Sequence, residues 1–177
     1  MLAYQNLPEA HPPAPAKHKY YRNDEQSSFF IWYTTHMRDL ANKPYYGVIK
    51  QYTHWIVLFR EKQVTLGSVI IMAKDSEAIS LGSLTSEAWS EFGVVCKDVE
   101  QWLSLAFGAE KFNYLGLMMV DPEVHFHVIP RYSQPVEFAG TTFTDSDWPS
   151  ATKRIPLQLD EVTLSAIKDK LIKTASS

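Results

Sequence analysis

The stretch Glu123-Val124-His125-Phe126-His127-Val128-Ile129-Pro130-Arg131-Tyr132 decides the fold. Val124, Phe126 and Val128 alternate with Glu123, His125 and His127, and a period of two in β-branched and aromatic residues predicts a strand. Successive side chains of a strand point to opposite faces, so the three ionisable groups share one face and the apolar residues the other. At a rise of about 3.3 Å per residue, neighbouring members of the polar set lie roughly 6.6 Å apart. Three polar groups on a rigid strand suit the holding of a phosphate or a metal.

Upstream, three further strands are expected at residues 46–52, 55–60 and 68–74, the last two joined by a turn around Leu66-Gly67. The spacing of Trp89, Phe92, Cys96, Val99 and Leu103 predicts a helix from Ser86 to Phe107, with Thr85 as N-cap and Gly108 as its stop. Residues 112–119 read as a strand, and the turn signal Asp121-Pro122 makes it an antiparallel neighbour of the opening stretch. Nearer the start, Asn23 or Asp24 caps a helix that Pro44 closes, and the proline-rich residues 1–22 read as an irregular arm. The segment after Tyr132 reads as irregular through Trp148-Pro149. A final helix is expected over residues 160–174, with Leu159 and Leu164 as a staple around an Asp160 cap. The order β-β-β, α, β-β, α indicates an α+β fold on an antiparallel sheet. It is expected as a single domain over residues 23–177, with its core at about 45–135.

A chain of 177 residues, 45% hydrophobic and 21% charged, has the composition of one ordinary globular domain. A net charge of −3 supplies no field for long nucleic acid, while local groups can still hold a small anion. The single cysteine, Cys96, excludes an internal disulfide and a multi-cysteine metal site. With no signal-like N-terminus and no apolar run near the ~20 residues of a membrane span, a soluble cytoplasmic protein without a membrane partner is expected.

A neutral imidazole is a competent nitrogen nucleophile near pH 7, so His125 can attack a phosphorus and form a phosphoramidate. A second imidazole two residues on, His127, can donate to a phosphoryl oxygen as charge builds there. The Glu123 carboxyl can manage the leaving group's proton if its pKa is raised. Glu123, His125 and His127 also resemble a 2-His-1-carboxylate metal set. Three collinear groups about 13 Å end to end cannot all reach one ion at ~2.1 Å, so a metal needs a further ligand such as His36 or His54. The plain alternative for the pair is a polar strand face. Arg60, in Arg60-Glu61-Lys62, reads equally as an exposed hairpin charge or a phosphate ligand. Asn113 reads as a turn residue, and Arg131 as part of the strand's exit.

The stretch resembles the histidine triad (HIT) superfamily of nucleotide hydrolases and transferases, whose pattern is His-φ-His-φ-His-φ-φ with φ apolar, usually followed by Pro-Arg. Here Glu123-Val124-His125-Phe126-His127-Val128-Ile129 precedes Pro130-Arg131. The hairpin around residues 59–72, the long helix and the strand near Asn113 extend the similarity over roughly residues 45–135. The resemblance implies a HIT-like antiparallel sheet with a long helix packed on it and additional N- and C-terminal helices. It implies His125 as nucleophile, His127 as phosphate contact, and Arg60, Asn113 and Arg131 as nucleotide- or phosphate-binding residues. The implied activity is hydrolysis or transfer at the α-phosphorus of a dinucleoside polyphosphate-like substrate, through a nucleotidyl-histidine. No cofactor is required, save a divalent metal that accompanies the substrate, and the family pairs its domains as homodimers. The sequence departs from the pattern twice. Glu123 replaces the first histidine, and Met118-Met119-Val120 occupies the place of a phosphate-binding glutamine or serine. Those departures leave open a nucleotide-binding protein without turnover.

Overall fold

The computed structural model describes residues 47–119 and 121–177, so the expected helix before Pro44 and the arm of residues 1–22 lie outside the described residues. Five strands form one sheet: β1 (Val48–Gln51), β2 (Trp55–Phe59), β3 (Val69–Ala73), β4 (Lys111–Leu115) and β5 (His125–Arg131). Their order is β1-β2-β3-β5-β4, and every neighbouring pair is antiparallel. β2 is buried along its whole length, as an interior strand of unbroken apolar residues requires.

The two faces of the sheet differ. Trp55, Val57, Phe59, Val69, Ile71 and Val128 belong to the main core, with Val95, Val99, Trp102, Leu103 and Phe107 of the long helix α1 (Ser86–Phe107). The other face carries a smaller cluster of Ile56, Leu58 and Met72, flanked by Val48 and Ile70. His125 pairs with Met72 and His127 with Ile70, and directly opposed residues project to the same side. The histidines therefore lie beside this buried apolar cluster, on the face away from α1.

Local chemistry sets the helix ends. Thr85 accepts the Ala88 amide at 3.2 Å at the start of α1, and Gly108 ends it in the left-handed region at φ 73°. The C-terminal helix α2 (Glu161–Ala175) begins on Asp160, whose carboxylate accepts from Thr163 N at 2.7 Å, and it buries Ile167 and Leu171 in the main core. α1 thus meets both the sheet and α2, and its buried arc is wider than one stripe. Val99 and Leu103 are buried as expected, Phe92 and Cys96 only partly, and Trp89 stays 38% exposed.

Two connections differ from expectation. β4 stops at Leu115 rather than near Met119, and the described residues between it and β5 (116–119 and 121–124) form no strand and no tight Asp-Pro turn. Met118, three residues beyond the last paired residue of β4, takes a left-handed φ of 40°, which does not continue a strand. The segment read as irregular contains a hairpin of β6 (Val136–Phe138) and β7 (Thr141–Phe143). Ala139 and Gly140 turn it with φ of 50° and 75°, the positive pair that suits a two-residue loop. Phe138 stands edge-on to Phe107 at 5.2 Å, which docks the hairpin at the end of α1. Among the described residues no helix is long and apolar enough to cross a membrane.

Candidate active site

His125 opens β5 and is 3% exposed. Its Nδ1 lies 2.8 Å from the carbonyl oxygen of Glu123. A carbonyl only accepts, so Nδ1 carries the hydrogen, and in the neutral ring Nε2 keeps its lone pair. His127, two residues along the same strand face, has the opposite partner. Its Nδ1 lies 2.8 Å from Nη1 of Arg60, a group that only donates. Nδ1 of His127 therefore accepts, and the proton sits on Nε2. Burial pushes the His127 pKa down to about 4, and the charge of Arg60 pushes in the same direction, so the ring is neutral near pH 7. The two rings stand edge to face, 5.1 Å between centroids. One bare nitrogen and one N–H donor are thus fixed side by side by backbone and guanidinium partners.

The hairpin loop explains why Arg60 reaches His127. Gln63 is fully buried, and its side chain accepts from Gly67 N at 2.8 Å and Ser68 N at 2.9 Å while donating to the carbonyls of Ser68 and Arg60. Arg60 Nε donates to Lys62 O at 2.8 Å, which holds the guanidinium over the strand end.

Arg131 and Asn113 come together, but with each other and a loop. Arg131, 3% exposed, makes a two-point pair with Asp145 at 2.6 and 3.1 Å, donates to Asn113 Oδ1 at 2.7 Å, and donates to Ser150 O at 3.0 Å. Its charge and its fork are directed into the fold. Glu123 precedes the strand and gives its carbonyl to His125. Asp121 carries a carboxyl raised by burial and by the Glu123 charge, against the opposing pull of His125. Sequence reasoning took Asp121 for a turn residue only, and it stands in no pattern that announces a site. His54 lies in the β1–β2 turn, its amide held by Glu91 at 2.6 Å, and His36 is outside the described residues. Among the described residues no three His, Cys, Asp or Glu side chains gather as a metal-holding set.

No family model matches the sequence, and no curated protein matches it. Solved structures do resemble it. A hypothetical histidine triad nucleotide-binding protein from Sulfolobus tokodaii superposes with a TM-score of 0.61 at 14% identity, over 80% of this chain and 91% of that one. A histidine triad protein from Marinobacter aquaeolei gives 0.59 at 21% identity, over 78% and 93%. One from Bradyrhizobium japonicum gives 0.57 at 16%, over 72% and 89%. These likenesses cover most of each chain, and the chain has the histidine triad fold.

Proposed function

We propose that the chain hydrolyses or transfers at the α-phosphorus of a nucleoside phosphate derivative, of dinucleoside polyphosphate type, through a nucleotidyl-histidine on His125. The observation that carries this reading is the opposite tautomers of the paired imidazoles. The Nε2 lone pair of His125 forms the N–P bond as the P–O bond to the leaving group breaks. The charge that develops on the imidazole is met by the Glu123 carbonyl, which already accepts from Nδ1. His127 Nε2–H donates to a phosphoryl oxygen, and its low basicity keeps it from holding a second proton that would be lost to solvent at neutral pH. The departing oxygen takes its proton from solvent or from a carboxyl, Glu123 or the raised Asp121 beside it. Water then cleaves the N–P bond and releases the nucleotide.

A second reading is nucleotide binding without turnover, favoured by Glu123 in the place of the first histidine. A substrate panel on wild type, His125→Ala and Glu123→His separates the two. Turnover abolished by His125→Ala supports the enzyme, and equal rates in wild type and His125→Ala on every substrate refute it. Binding without turnover on the whole panel supports the second reading. The pairing of the domain as a homodimer belongs to the same proposal. The edge of β4, without a partner among the described residues, and the exposed Val94 and Leu105 of α1 supply a surface for it, and light scattering should then give twice 20.3 kDa.

A further inference from the structure

Between β2 and β3, beside the buried Val64 and Leu66, the chain also buries an amide. Gln63 has no exposed surface, and its side chain contacts only backbone groups of its own turn. It accepts from the amides of Gly67 and Ser68 at 2.8 and 2.9 Å. It donates to the carbonyls of Ser68, at 2.9 Å, and of Arg60. These contacts fill the amide's two donors and two acceptor sites, the condition on which such a group is buried without penalty. The turn is also sewn to the end of the strand that carries the histidines. Thr65 Oγ1 donates to the Pro130 carbonyl at 2.5 Å, and the Tyr132 hydroxyl to the Leu66 carbonyl at 2.7 Å.

Arg60 stands at the first residue of this turn. Its guanidinium spans two acceptors, the Lys62 carbonyl at 2.8 Å from Nε and His127 Nδ1 at 2.8 Å from Nη1. Both sit where the turn puts them, since Lys62 lies within it and His127 lies on the strand to which it is sewn. A planar fork meets two such acceptors at once only while the Arg60 backbone stays in place. We infer that Gln63 is a positioning residue for phosphoryl transfer: by holding the Arg60 carbonyl it keeps the guanidinium on Nδ1 of His127, and so keeps Nε2–H as the donor to the phosphoryl oxygen. The inference rests on the phosphoryl-transfer reading of His125 and His127.

A double-mutant cycle over Gln63→Met and Arg60→Lys in the full chain tests it, with diadenosine tetraphosphate as substrate and the ring-nitrogen spectrum of His127 as a second readout. Arg60→Lys keeps the charge and loses the fork. Each single variant should lower kcat about tenfold with KM nearly unchanged, because the His127 contact strengthens in the transition state. Each should also place part of the His127 proton on Nδ1 while the His125 tautomer stays as it is. The double variant should be no slower than the slower single one, since both changes act through one contact. Gln63→Glu keeps the acceptor for the two amides and, as a buried neutral carboxyl, one donor, so its loss should be smaller. Should Gln63→Met not fold, Gln63→Glu carries the same cycle. A destabilised Gln63 variant with the wild-type His127 tautomer and kcat overturns the inference, and so do effects that multiply in the double variant. Absence of turnover in wild type overturns the functional reading, while the His127 tautomer still decides the link from Gln63.

Discussion

Replacing Arg131 with Met distinguishes a brace from a ligand. The Arg131–Asp145 pair has side-chain exposures of 4% and 2%, so loss of the guanidinium leaves a buried carboxylate facing only the long amide contacts of Tyr132 and Asp147, both at 3.3 Å. Asn113 Oδ1 and the Ser150 carbonyl lose a donor at the same time. Breaking one side of a buried pair costs about 3–5 kcal/mol. At roughly 2–4 °C per kcal/mol for a chain of this size, the melting temperature should fall by about 6–20 °C. The double variant Arg131→Met with Asp145→Leu replaces the pair by apolar contact and should recover a large share of the loss. Scanning calorimetry of the three proteins gives these values. A fall below about 3 °C in Arg131→Met, coupled to loss of nucleotide binding in a protein that stays folded, would show that Arg131 is a phosphate ligand, and the brace would be wrong.

Gly67→Ala should destabilise by about 2–4 kcal/mol in denaturant titration, because its φ is +84° and an added Cβ meets the Phe107 ring at 2.8 Å. A loss under about 1 kcal/mol would show that α1 yields there. Asp160→Ala should cost about 1 kcal/mol through loss of the cap on Thr163 N, whereas Asp160→Ser should cost little. His127 takes up its proton near pH 6.5 when unfolded and near 4 when folded, so the unfolded chain binds more protons between those values. Stability is therefore full above pH 6.5 and declines as the pH falls towards 4. The loss from His127 between pH 7 and 5 is about 1 kcal/mol after solvent screening of a half-buried ring. Arg60→Gln removes one of the charges that depress His127 and should flatten that decline, and an unchanged slope would refute the assignment.

Much of the frame is visible in local patterns. The alternation in 124–128, the Thr85 cap, the Gly108 stop and the Asp160 cap each act over a few residues, and each structural element forms where those patterns lie. The hairpin at 136–143 also has a local signal, Val136 and Phe138 before Ala139-Gly140, masked by the short strands and the surrounding polar residues. The site divides differently. That His125 and His127 share a face follows from a period of two, but their tautomers depend on a carbonyl and on an arginine 67 residues away. Nothing near Arg131 tells a ligand from a brace, because its acceptors Asp145 and Ser150 lie 14 and 19 residues on.

The paired imidazoles are tested most directly by the nitrogen chemical shifts of the ring atoms of His125 and His127 in isotopically labelled protein at pH 7.5. The expected spectrum has a proton on Nδ1 and none on Nε2 of His125, and the reverse on His127. A proton on Nε2 of His125 would leave the strand without a nucleophile and contradict the central claim.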